Sequence, residues 1–209
     1  IGGTAVPTYP WGMPWSAMGT LRFQIAPLII GLSFLLTREV SFSLWGFYWI
    51  GRLEAVLGAA IGLNGVGIAA GGDTFPFPGH QTAGAYLALA AVSIWIAREP
   101  LKRIFVRGLT LQKDPEEENE PLSYRMAVWG GILSFAFMVA FANSMGMPIL
   151  IAVPLLLIAF GYLLAMTRLT SEGGMPWMYE PMWRSHDVIR ALVPYRAIST
   201  GNWASVAMM

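Results

Sequence analysis

Arg52 and Glu54 stand inside an apolar run from Phe42 to Leu63. A charge at the centre of such a run costs about 2.5 to 3.5 kcal/mol on insertion scales, so each side chain needs a purpose. One purpose is an ion or substrate pathway, a second is a buried, paired tether between helices, and a third is a place for Arg52 on a wet crevice beside a broken or displaced helix. Residues two apart on a helix do not face each other, so these two cannot neutralise one another locally. Gly51, Ala55, Gly58 and Gly62 form a small-residue stripe beside Glu54, of the kind that lets a second helix approach closely. No further acid or histidine continues a relay within the apolar runs, which favours the tether.

The remaining chemistry is sparser. His80 would be an axial ligand to a pigment or haem if it faced a partner, although a single interfacial histidine is more often a hydrogen-bonding loop residue. His186 is expected on the opposite face and cannot share a metal with it. Gly65-x-Gly67 is followed by no Lys-Ser/Thr and preceded by no strand, so it is not a phosphate loop. Asp114 to Glu120 holds five carboxylates in seven residues without calcium-loop spacing or a turn glycine, and reads as a solvated loop. With no cysteine, thiolate metal sites and cysteine nucleophiles are excluded. No Ser-His-Asp set, carboxylate dyad or zinc signature is present, so neither an enzyme nor a resident metal or cofactor is expected. Bound lipid and a pigment contact are the ligands such a chain would take.

The elements that must position these residues belong in a bilayer. Of 209 residues, 56% are hydrophobic and 12% charged, against roughly a quarter charged in soluble domains. Thirteen Lys and Arg against twelve Asp and Glu leave a net charge of +1, which gives nucleic acid no footprint. Five apolar stretches predict transmembrane helices at about 21–37, 42–63, 82–97, 126–142 and 147–166. The third is short and is expected to continue past Arg98 along the interface, where Leu101, Ile104 and Phe105 recur at helical spacing. Pro27 in the first stretch and Pro148 and Pro154 in the fifth predict kinks, of little cost at Pro148 near a helix start and a bend at Pro154.

The basic residues are sorted. Arg38, the Arg98 to Arg125 segment, and Arg168, Arg184, Arg190 and Arg196 all fall on one side of this layout, which should be cytoplasmic. The reading is an all-α integral membrane bundle of about five spans, N-terminus outside and C-terminus cytoplasmic. Residues 1–20, with Pro7, Pro10 and Pro14 among Tyr9, Trp11 and Trp15, form an outer interfacial segment. Asn64 to Gln81 is a constrained loop packed on helix ends. Residues 167–209 are a cytoplasmic surface tail in which Met182, Val188, Ile189, Leu192 and Val193 share one arc of an amphipathic helix. The chain opens on an uncharged stretch from Ile1, and an upstream portion is expected.

Four segments then point further: SFSLWGFYWIGRLEAVLG from Ser41, FPFPGHQTAGAYLALAAVSIWIAREPLK from Phe75, EPLSYRMAVWGGILSFAFMVAF from Glu120 and LLAMTRLTSEGGMPW from Leu163. Together they resemble a family of large bacterial multi-spanning proteins similar in plan to the oligopeptide-transporter superfamily. The resemblance implies a bacterial inner-membrane, multi-pass chain that matches a C-terminal portion of proteins with roughly a dozen spans. This chain departs from that pattern at His80, where an acidic residue is expected, and beyond Trp177. Five spans cannot supply both halves of a midplane transport site. The expected function is therefore a non-catalytic accessory or structural subunit, packed against other integral membrane chains of a photosynthetic or respiratory type of complex. Part of a transporter-like protein that needs further helices is the alternative.

Overall fold

The computed structural model describes residues 4–6, 11–23, 27–34, 36–67, 73–110, 121–174, 181–182 and 184–192. The acidic loop at 114–120 and the tail beyond 192 lie outside them. Among the described residues seven α-helices dominate: α1 Pro27–Ser33, α2 Arg38–Ala60, α3 Pro78–Ile96, α4 Arg98–Thr110, α5 Tyr124–Ser144, α6 Ile149–Gly173 and α7 Ser185–Leu192. A three-residue antiparallel pair, β1 Thr4–Val6 with β2 Leu21–Phe23, brackets a 3-10 turn at Trp15–Met18. Among the described residues, α5 and α6 are long and apolar enough to cross a membrane. The chain divides into two compact units, Ile1–Ala85 with Leu163–Arg184 and Tyr86–Tyr162 with Ser185–Met209.

In the first unit, α2 starts where the Thr37 side chain accepts a hydrogen bond from the Val40 backbone N–H and stops at a glycine. Leu63 N donates to the Gly58 carbonyl at 2.8 Å and Gly62 N to that of Ala59 at 3.2 Å, with Gly62 at φ +83°. This double closure satisfies the last carbonyls and needs a left-handed residue, which glycine adopts without steric cost. The expected first span is not one helix. Leu21–Phe23 is strand and α1 has only seven residues, a rise of about 10 Å. Pro27 opens α1, as a residue with no N–H to lose can, and it disfavours helix in the residue before it.

In the second unit, α3 and α4 are successive helices separated at Ala97. Pro100 explains the break: it cannot donate to the Ile96 carbonyl, and its ring crowds that oxygen. The helical continuation past Arg98 thus runs to Thr110 as a separate element, with the Arg98 guanidinium 4.5 Å from the Trp95 ring centroid. Helix α4 lies against α5 at Gly108, where a Cβ would come within 2.7 Å of Val128 Cγ2 and 2.8 Å of the Tyr124 carbonyl oxygen. Ser123 caps α5 by accepting from Met126 N. Gly146, at φ +94°, closes α5 in the same way as Gly62 closes α2, through Met147 N to the Ala142 carbonyl at 3.1 Å. Pro148 precedes α6 and Pro154 lies inside it.

Helix α7 is packed on its own unit: Ile189 is 2% exposed and packs with Ala142, Met147, Ile151, Ala152 and Leu155, at the turn that joins α5 to α6. Burying Ile189 removes a large apolar side chain from solvent, which is what draws α7 to this cluster. Met182 lies outside α7, and Val193 falls beyond the described residues.

The α4–α5 contact generates a contrast between glycines. Gly108→Ala should lower the melting temperature of the detergent-solubilised chain by a destabilisation of about 1 to 3 kcal/mol, because backbone has to yield. Gly130→Ala, whose Cβ meets nothing within 4 Å, should leave it unchanged or raise it by up to about 1 kcal/mol. Circular dichroism on heating compares the two.

Candidate functional site

Arg52 and Glu54 of α2 both line one cleft of ≈ 560 Å³ within the first unit. At about 100° per residue, Arg52 and Glu54 stand some 160° apart on the open side of the helix, and Tyr48, Gly51 and Ala55 lie on the arc between them. Gly51 and Ala55 form the floor, Arg52 one wall and Glu54 the other. Both charged side chains are half-buried.

Neither charge answers the other, and each finds its partner elsewhere in the chain. Arg52 Nη1 donates to the Met18 carbonyl at 2.6 Å, the open end of the 3-10 turn, and the guanidinium lies 5.2 Å from the Tyr48 ring centroid. Gly19 follows at φ +72°, and a Cβ there would sit 3.1 Å from Arg52 Nη1, so glycine leaves room for the contact. Met18, Leu21 and Val56 bury their side chains beside it, with Trp49 packed against them. Glu54 accepts from Gln81 Nε2 at 3.2 Å on each carboxylate oxygen, and the same amide donates to the Pro76 carbonyl at 2.8 Å. Gln81 thus joins α2, the loop and the first turns of α3.

The small-residue stripe is used within the chain. The Phe75 ring lies over Gly58, where an added Cβ would come within 2.0 Å of its Cε1. Gly62 serves as the cap, and Gly51 faces open space. The close approach expected of a second helix is made at Gly58 by a loop aromatic. That loop is constrained, as its Phe-Pro-Phe-Pro sequence suggests: Gly67 bridges Thr74, Phe75 N donates to the Val66 carbonyl at 2.9 Å, and Phe77 stacks edge-on to Phe75.

His80 lies on the first turn of α3 rather than in the loop. Its Nδ1 is 2.8 Å from Asp73 Oδ2, and the same oxygen accepts its backbone N–H at 3.2 Å. One carboxylate therefore caps the helix and orients the ring through Nδ1. Among the described residues no three His, Asp or Glu side chains converge to hold a metal ion. Sequence reasoning missed Gln81, Asp73 and the Met18 carbonyl. The first two were legible as polar residues at the border of an apolar run; a backbone carbonyl leaves no trace in residue types.

The contacts give two expected outcomes. Arg52→Met should release the 3-10 turn, at a cost of about 1.5 to 3 kcal/mol for a hydrogen bond from a charged donor, and limited proteolysis should cut before Leu21 faster while helix content holds. Gly58→Val should destabilise the chain because the Phe75 ring has to leave, and adding Phe75→Ala should recover part of the loss; a double-mutant cycle of melting temperatures measures the coupling.

No curated protein and no solved structure matches the chain. One family model does, over residues 7–209, from the proline-rich N-terminal segment through Arg52 and Glu54 to the end of the chain given. The chain accordingly belongs to DUF6785, a family of unknown function.

Proposed function

We propose that this chain is a non-catalytic structural subunit of a bacterial inner-membrane assembly, which docks apolar helix faces against other transmembrane chains. The observation that carries this reading is a stripe on α5. Met126, Trp129, Leu133, Phe137 and Phe141 recur at steps of three and four, and they are 45% to 71% exposed. The opposite side of the same helix is occupied, with Tyr124, Val128 and Ala142 buried. Large aromatic and aliphatic side chains on one line are what a partner helix or lipid covers. The in-chain partners of Arg52 and Glu54 support the tether reading over a relay, since each charge already has a structural task.

In this reading α2, α3, α5 and α6 cross the membrane as helices, with the basic α4 on the cytoplasmic side. The fifth crossing would be made in broken form, with β2 Leu21–Phe23 and the short α1 Pro27–Ser33 lying in sequence between Met18, held at Arg52, and Thr37, which caps the start of α2 about 22 Å from Arg52 along that helix. Such irregular backbone at membrane depth is tolerated where protein or a cavity covers it. The same observation favours the second reading, a portion of an oligopeptide-transporter-like protein, because broken helices beside a polar cleft build the substrate sites of secondary transporters.

Since the chain has no cysteine, a single Cys at Leu133 or Phe137 provides a unique thiol. Cross-linking in native membranes should join it to other chains, and the solubilised particle should exceed the 22.8 kDa chain several-fold. A particle of one chain with no cross-linked product overturns the subunit reading; a single longer polypeptide with added spans replaces it with the transporter reading.

A further inference from the structure

We propose that the α2 cleft binds a small zwitterion, its phosphate or carboxylate on Arg52 and its primary ammonium on Glu54. This does not depend on whether the chain works within an assembly. The cleft is large enough, since ligand sites commonly run from about 300 to 1,000 Å³. Arg52 and Glu54 line it on either side of Gly51 and Ala55, and the third charged residue of the lining, Asp73, is engaged by His80 at 2.8 Å. A lone anion drawn to Arg52 would also face Glu54, and a lone cation would meet Arg52. A molecule with both groups satisfies both walls and enters without net charge, which lowers the desolvation cost at this depth.

The donor count agrees. A guanidinium offers five N–H groups in a planar fork, and the Met18 carbonyl takes one from Arg52. The Glu54 carboxylate has about four acceptor positions, of which the single Gln81 amide nitrogen engages two. An ammonium that carries N–H can donate to the remainder, whereas a quaternary ammonium cannot. Met18 and Phe75 give the cleft an apolar rim suited to the carbon skeleton between the charged groups. Two sources carry this chemistry: the headgroup of an aminophospholipid, or a soluble amino-phosphate or amino acid.

The full chain in phosphatidylglycerol nanodiscs separates them. Phosphoethanolamine is titrated by calorimetry, and native mass spectrometry compares retention of phosphatidylethanolamine with phosphatidylcholine. Binding of phosphoethanolamine identifies a soluble source, and selective retention of phosphatidylethanolamine a lipid source; either supports the site if it falls tenfold or more in Gly51→Leu and Glu54→Gln. Gly51→Leu fills the floor from a position whose Cβ meets nothing within 4 Å, and Glu54→Gln keeps the wall's shape while removing its charge. If Gly51→Leu does not fold, Glu54→Gln decides. No binding of either probe, equal retention of the two lipids with no phosphoethanolamine binding, or binding unchanged by Glu54→Gln overturns the proposal.

Discussion

A guanidinium within a helix of apolar residues has to be solvated by something, and in this chain that something is a backbone carbonyl. The bond from Arg52 to Met18 sets where the 3-10 turn can lie, and hence where β2 begins. Without a fixed acceptor the half-buried charge would be poorly solvated. The packing of Met18, Leu21 and Val56 beside the bond shields it on one side. Glu54 and Gln81 repeat the pattern on the other flank with a side-chain amide as the partner. The outer segment, the loop and the start of α3 are in this way all registered against one helix.

The same economy governs the helix ends. Gly62 and Gly146 close α2 and α5 with the chain's own N–H groups, and Asp73 serves the start of α3 from outside the helix. Each closure satisfies orphan backbone groups at a helix end, carbonyls in the first two cases and an N–H in the third. Prolines do the complementary work: Pro27 opens a helix, and Pro100 ends the ladder between α3 and α4.

Long apolar periods were readable from residue types. The α5 and α6 helices fall where hydropathy puts them, and the prolines and glycines mark most of the boundaries. Leu21 to Thr37 was misread because Leu, Ile and Phe suit a strand as well as a helix, and what decides is the anchoring of Met18 at a residue 34 positions away. Gly58 was seen as a surface for a helix, since small size reports room for an approach and not what approaches. Ile189 shared its arc with other apolar residues, so amphipathicity alone could not separate a surface helix from one packed on the α5–α6 turn. For the site, the charged pair was evident and its acceptors were not.

The hydroxyls near the end of α6 carry a last consequence. Thr167 donates to the Leu163 carbonyl, Thr170 to those of Met166 and Thr167, and Ser171 to that of Arg168, while Arg168 and Glu172 pair at 2.8 Å one turn apart. These polar groups are satisfied on their own helix, so they ask little of whatever medium surrounds them. At 25 residues α6 is about 37 Å long, several ångströms more than a typical hydrocarbon core of about 30 Å. Its charged last turns therefore extend past such a core, where the Arg168–Glu172 pair keeps its contact with water, and the apolar turns before them supply the length that crosses it.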